Sequence, residues 1–490
     1  MRAVLLVTLA AVASSSVLAQ KDPHFVDGRN TIVHLFEWKW ADIAAECENF
    51  LSKKRFGGIQ ISPPSENVII DNPYRPWWER YQPISYSLTT RSGDEGAFAD
   101  MVRRCNQVGI RIYVDLVVNH MAATSGTGTA GSNCDAGSKW YPAVSYSNEN
   151  FHGSCDIDYN DANSIRNCEL SGLKDLDQSQ DYVRGKIRDY MNHLIGLGVA
   201  GFRVDAAKHM WPSDLEAIFN SVDNLNSEFF GDGARAYYYQ EVIDTGNDPV
   251  YNTEYIGFGD VIEFKHGAQL GNAFKGNNPL HYLSNWGTGW GLIDGSNALV
   301  MIDNHDTQRN GDFGILNYKD SKLYKAATAF MLAHSYDATT QVMSSFGFES
   351  SDDGPPNNNG ELVSPGFTDD GTCTNGWICE HRWRQIFNMV EFRSVVAGTG
   401  LNDWWDNGDN QVAFSRGDKG FAAFTISGDI NESIQTGLPA GTYCDVISGG
   451  LENGRCTGKS VSVDGNSRAQ VSLSAGEDDA VLAIHVNAKL

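Results

Sequence analysis

Four short stretches carry residues able to do acid–base chemistry. One runs from Asp115 to Asn119-His120. A second reads Gly201-Phe202-Arg203-Val204-Asp205 and continues to Lys208-His209. The third is Tyr239-Gln240-Glu241, and the fourth Asp303-Asn304-His305-Asp306. In each, an acidic residue closes an apolar or aromatic run, where a desolvated carboxylate is costly without a partner or a purpose. One such residue is as readily half of a structural ion pair. Three together, Asp205, Glu241 and Asp306, could divide proton donation from the task of holding negative charge against a developing cation. Arg203 stands two residues before Asp205, on the same strand face, and is placed to keep that carboxylate ionised. Glu241 follows three tyrosines and precedes Val242 and Ile243, an apolar setting that favours its protonated form.

These stretches need elements to bring them together. Eight short apolar or β-branched runs recur, at 31–36, 58–62, 111–118, 199–206, 237–243, 260–264, 298–302 and 340–345. Amphipathic helical stretches lie between most of them, as at 42–51, 97–108, 181–197, 213–225 and 321–334. Strands alternating with helices imply a parallel sheet, and eight units imply a closed (β/α)8 TIM barrel with reactive residues at the C-terminal strand ends. An open doubly wound sheet is the alternative, but no Gly-rich phosphate turn follows the first strand. The interval 119–175 is too long for one crossover and reads as a domain inserted after strand 3. The barrel then covers 20–118 and 176–399. After about residue 400 the pattern becomes period-2 alternation broken by Gly, Asn and Asp, which predicts an antiparallel β domain over 400–490.

The 490 residues hold 37 basic and 61 acidic side chains, a net charge of −24. That balance excludes nucleic acid and anionic membrane surfaces as partners. Residues 1–19 read as a secretory signal peptide, with a basic start, a short apolar run and small residues before Gln20. A membrane span needs about 20 apolar residues, and no stretch supplies them. The protein is therefore expected to be secreted. Of nine cysteines, spacing suggests the pairs Cys155–Cys168, Cys373–Cys379 and Cys444–Cys456, with Cys47–Cys105 the long-range candidate and Cys134 left over. Asn431-Glu432-Ser433 is a lone glycosylation sequon.

The four stretches, in this chain order, resemble the signature regions of α-amylases, most closely those of insect digestive enzymes. His34-Leu35-Phe36-Glu37-Trp38, the run from Arg75 to Pro83 and the closing Val481-Leu482-Ala483-Ile484-His485 extend the resemblance over nearly the whole chain. It implies a barrel, an inserted calcium-binding domain and a C-terminal Greek-key domain. It implies retaining, endo-acting hydrolysis of α-1,4-glucosidic bonds in starch and glycogen. Asp205 would be the nucleophile, Glu241 the acid and then the base, and Asp306 the third carboxylate. Trp77, Trp78 and Tyr81 would stack on sugar faces. Gln82, Asp115, His120, Arg203, Lys208, His209 and His305 complete the expected substrate-binding set.

Further ligands follow from the same resemblance. A structural Ca2+ would be held by the Asn119 side chain, the Arg166 carbonyl, the Asp175 carboxylate and the His209 carbonyl. Arg203 and Asn304 match two members of a chloride site, but Gln341 stands where activated enzymes carry arginine. Chloride is then not required, because a neutral amide cannot offset a buried anion. Without a second arginine, Glu241 would have no competing cationic partner at that position. Cys134 would be free, since Thr89 occupies the position of its counterpart. The loop after the seventh strand, 309–314, is short and lacks a His, which implies an open cleft. The expected protein is a monomer acting on starch, glycogen and malto-oligosaccharides, and a target for proteinaceous amylase inhibitors. The alternatives are a related enzyme with other α-glucan specificity or transglycosylation, and an inactive sugar-binding paralogue.

Overall fold

The computed structural model describes residues 20–26, 28–310 and 314–490. The signal peptide expected over 1–19 and residues 311–313 of the loop 309–314 lie outside these residues. Eight parallel strands close into a barrel. They are β1 (Thr31–Leu35), β2 (Gly58–Ile61), β3 (Arg111–Leu116), β4 (Gly201–Val204), β5 (Tyr237–Gln240), β6 (Asp260–Ile262), β7 (Ala298–Val300) and β8 (Thr339–Ser344). Closure is made by β1 on β8, with Thr31 opposite Thr340 and Leu35 opposite Ser344. Nearly every strand residue is buried, as the packed interior of such a barrel requires. The interior also holds tyrosines whose hydroxyls find partners: the Tyr239 hydroxyl donates to Gln60 Oε1 at 3.0 Å.

Helices cover the outside. Trp40–Glu46, Glu95–Gln107, Asp181–Gly196, Pro212–Ser221 and Ser321–Ala333 match the periodic stretches to within a few residues. Helices Phe264–Phe274 and Arg384–Val395 complete the set.

Between β3 and β4 the chain leaves the barrel. A two-stranded pairing of His120–Met121 with Lys174–Asp175 ties the exit to the return, with His120 opposite Asp175. The excursion contains little regular structure beyond a short strand pair and helix Ala162–Asn167. A Cys155–Cys168 bridge fastens it internally. Three other bridges join Cys47 to Cys105, Cys373 to Cys379 and Cys444 to Cys456. Cys134 is free and buried.

The C-terminal part is two four-stranded antiparallel sheets packed face to face. Two of its strands leave little trace in the sequence pattern. Leu401–Asp406 is rich in Asp and Trp, and its pairing with the next strand is interrupted by a bulge. Ile430–Gln435 buries only Ile430 and Ile434 fully, so its alternation is faint.

Candidate active site

The carboxylates converge through one side chain. Arg203, near the end of β4, is buried at the centre of the barrel mouth. Its Nη1 donates to Asp115 Oδ1 at 2.7 Å and to Asp205 Oδ1 at 2.6 Å, and its Nη2 donates to Glu241 Oε1. The other Glu241 oxygen accepts from the Ala206 amide at 2.8 Å. The Tyr81 hydroxyl donates to the second Asp115 oxygen at 2.7 Å.

One guanidinium thus serves three carboxylates. Burial pushes Asp205 well above the ordinary carboxylate range, against the pull of Arg203, and the charges of Glu241 and Asp115 push the same way. Burial raises Asp115 likewise. With all three ionised the set would carry a net charge of −2, so it takes up a proton more readily than isolated carboxylates. One expectation is corrected here. Glu241 does not lie in apolar surroundings: its oxygens accept from the Arg203 guanidinium and the Ala206 amide.

Above this set lies an open cleft of about 440 Å³. Trp77, Trp78, Tyr81, His120, Arg203, Asp205, Lys208, His209, Glu241, His305 and Asp306 all line it. The two tryptophans are held from another part of the chain: Trp77 Nε1 donates to the Ser351 carbonyl at 2.7 Å, and Trp78 Nε1 to Asp352 Oδ1 at 3.0 Å. His305 stacks on Tyr81 at 5.1 Å between ring centroids. Burial holds it neutral, well below the usual imidazole range. His120 is also neutral, lowered to about 4 by burial, and its Nε2 donates to the Tyr81 carbonyl at 3.0 Å.

Two expected substrate contacts lie behind the cleft wall. Asp115 is fully buried beneath Arg203. Gln82 Oε1 accepts from the Ala123 and Thr124 amides at 3.1 and 3.2 Å and so holds the start of the excursion. Both position other groups. A residue that sequence reasoning passed over is Arg309, whose Nη1 donates to the His305 carbonyl at 2.5 Å while its guanidinium lies 4.4 Å from the Phe348 ring centre. No local signal marked it, since the rings it lies over, such as Phe36 and Phe348, come from distant parts of the chain.

Beside the cleft, Asn119 Oδ1 and Asp175 Oδ1 are buried without hydrogen-bond partners. Burial raises Asp175 to about 6, with His152 pulling the other way through a 2.7 Å hydrogen bond to its second oxygen. Two orphaned oxygens in one buried place suit a hard cation. The remaining oxygens would be main-chain carbonyls, so no cluster of three acidic, His or Cys ligands is needed, and none occurs among the described residues. The anion site fits less well. The two terminal nitrogens of Arg203 are both engaged on carboxylates. Asn304 Oδ1 caps the following turn, accepting from the Asp306 and Thr307 amides at 3.0 and 2.7 Å. Gln341 is buried and neutral.

Comparison with known proteins decides the family. The α-amylase catalytic-domain model matches residues 58–269, and the α-amylase C-terminal all-β domain model matches 403–487. The chain is 65% identical to an α-amylase of Hypothenemus hampei over 484 residues, covering 99% of each. The chain belongs to the α-amylase family. A second family member, from Tribolium castaneum, is 62% identical over 96% of each chain. The crystal structure of a mutant of α-amylase I from Eisenia fetida, in complex with maltohexaose, superposes with a TM-score of 0.90 at 45% identity, covering 95% of this chain and 99% of that one. As in the rest of the family, the activity is glycoside hydrolysis.

Proposed function

We propose that this α-amylase is a secreted, calcium-stabilised, endo-acting enzyme that cleaves internal α-1,4-glucosidic bonds of starch and glycogen with retention. One observation carries the reading: Asp205 and Glu241 rest on adjacent nitrogens of the same guanidinium, beneath a Trp77–Trp78 platform. That sharing brings both carboxylates to one guanidinium, in keeping with a retaining mechanism, whose two carboxyl groups work about 5–5.5 Å apart.

The residues then act as follows. A glucan chain stacks on Trp77 and Trp78, with His305 and Asp306 at the cleavage point and Lys208 and His209 on the leaving-group side. Glu241, carrying the proton that the carboxylate set takes up, protonates the bridging oxygen. As the C1–O bond breaks, Asp205 bonds to C1 and forms a glycosyl-enzyme ester. Water enters, Glu241 removes its proton, and the ester opens to release the sugar with its original anomeric configuration. Throughout, Arg203 and Tyr81 keep Asp115 in place behind Asp205.

Calcium, bound by Asn119, Asp175 and the carbonyls of Arg166 and His209, would clamp the excursion to the barrel and neutralise Asp175. Chloride is not required. The four disulfides, formed where thiols oxidise, support an extracellular location. Among the described residues no helix is long and apolar enough to cross a membrane. The enzyme acts as a monomer, and its open cleft is the surface a proteinaceous amylase inhibitor would cover.

Reducing-sugar release from starch by the wild type and by Asp205→Asn tests the assignment, with proton NMR of the first product reporting its anomer. The wild type should release α-anomers and the variant almost nothing. Equal, near-zero release from both would overturn the reading, and β-anomers would overturn retention.

A further inference from the structure

Behind His305 the cleft wall holds a cation that the reaction described above does not use. Arg309 sits in the short helix Thr307–Asn310 that follows β7, and its backbone N–H donates to the Asp306 carbonyl at 3.0 Å. Its guanidinium carbon lies 5.3 Å from the ring centre of Phe36, 5.4 Å from that of Trp77, 5.0 Å from that of Phe346 and 4.4 Å from that of Phe348. All four distances run to one atom, so the rings form a cage around it. Phe36 follows β1, Trp77 lies beyond β2, and Phe346 and Phe348 follow β8. Arg309 therefore ties together loops from four strands at the mouth of the barrel, across the seam where β8 closes on β1.

The cage does the work of a counter-ion. Arg309 Nε and Nη2 are buried and form no hydrogen bond among the described residues. The negative faces of the rings surround the charge instead. Burial lowers Arg309 to about 10, which leaves it a cation at neutral pH. As filler such a residue is costly, since an apolar side chain would occupy the same space without desolvating a charge. What Arg309 adds is a fixed connection. Its Nη1 donates to the His305 carbonyl at 2.5 Å, while the same guanidinium lies over Trp77. Trp77 and His305 also meet directly, with ring centres 5.3 Å apart, and Phe36 packs on both, at 6.1 and 5.0 Å. Trp77 and His305 line the cleft, whereas Arg309 and Phe348 do not.

We propose that Arg309 is a positioning residue for glucan hydrolysis: from within its aromatic cage it fixes the Trp77 ring relative to His305, so that a sugar stacked on Trp77 is presented to Asp205 in register. The proposal rests on the stacking and cleavage-point roles given to Trp77 and His305 above. Binding of the chain is shared with Trp78, Lys208 and His209. Loosening Trp77 and His305 therefore costs alignment at the breaking bond more than it costs affinity. Its kinetic signature is a fall in kcat with little change in KM.

The test is steady-state hydrolysis of soluble starch by the calcium-loaded enzyme, well below the melting temperature of each variant. Arg309→Met keeps an unbranched side chain and removes the charge and the donor. Its kcat should fall about tenfold or more while KM stays within about twofold. Arg309→Lys keeps a cation and a donor and should recover kcat to within a few-fold of the wild type. In a Trp77→Leu background the loss caused by Arg309→Met should shrink several-fold, because a residue through which Arg309 acts is gone. Should Arg309→Met not fold, Phe348→Leu decides: it removes the nearest ring of the cage, lines no part of the cleft, and should still lower kcat several-fold. Wild-type kcat in folded Arg309→Met or Phe348→Leu, Arg309→Lys no more active than Arg309→Met, or an equal fold-loss in the wild-type and Trp77→Leu backgrounds would overturn the proposal. A wild type that releases no reducing sugar from starch would overturn the reading beneath it, and the proposal with it.

Discussion

Asp115→Asn should move the alkaline limb of the activity profile to lower pH. Asp115 is fully buried and lines no part of the cleft, so the change leaves substrate contacts intact. Asp115 and Asp205 accept from the same Arg203 nitrogen, at 2.7 and 2.6 Å, so their nearest oxygens are at most about 5 Å apart. Two like charges at about 5 Å repel by about 3 kcal/mol at an effective dielectric constant of about 20. That corresponds to about 2 pKa units. A like charge raises a carboxyl pKa, so its removal lowers the pH at which the set loses its proton, and Arg203, released from Asp115, pulls in the same direction. Part of the repulsion is already screened by Arg203, which leaves an expected downward shift of about 1–2 pH units. Local geometry survives, because the amide oxygen can still accept from Arg203 and the Tyr81 hydroxyl can turn to accept from the amide nitrogen. The assay is kcat/KM on soluble starch from mildly acidic to alkaline pH, and the limb reports the coupled set, not one residue. A limb that stays in place or moves upward, in a variant that melts near the wild-type temperature, would refute the shared-guanidinium account.

Chelation with EGTA should lower the melting temperature and added calcium should restore it, with Asn119→Ala needing more calcium for the same recovery; a melting temperature indifferent to chelation would remove the assignment of the two orphaned oxygens. The Cys134 thiol, raised by burial, should resist labelling in the native enzyme, whereas unfolding without reduction should expose one reactive thiol; finding none would mean an intermolecular bridge. Exhaustively dialysed enzyme should be equally active with and without chloride, and Gln341→Arg should introduce a dependence. Saturable, several-fold activation of the wild type would contradict this.

Much of the barrel was legible because its eight strands are continuous apolar runs separated by helical periods, and all eight lie where those runs fall. The helix Phe264–Phe274 was not, because Gly267 and Gly271 weaken its pattern. Both are demanded by packing: a Cβ at Gly267 would run into the Ile302 carbonyl, and one at Gly271 into that of Gly314. The carboxylates were legible as polar interruptions at strand ends. Their mutual arrangement was not, since the reach of a long side chain such as Arg203 depends on barrel closure. The same holds for Trp77, whose indole is anchored 274 residues away in sequence. The placement of Gln82 and Asp115 behind the wall shows the limit of position along a strand as a guide to what a residue touches.

The disulfide bridges have a consequence for biosynthesis. Their partners lie 58, 13, 6 and 12 residues apart. None links the barrel to the C-terminal sheets, and the excursion's bridge closes within the excursion. In a secreted chain, as proposed here, each bond can therefore form as its own segment emerges from the translocation channel, without waiting for later parts of the chain. The odd thiol, Cys134, emerges after the Cys47–Cys105 pair and before Cys155, so the interval in which it can capture a wrong partner is short. Oxidation along this chain can follow the order of synthesis, and the union of its three regions is left to non-covalent contacts such as the Lys325–Asp479 ion pair.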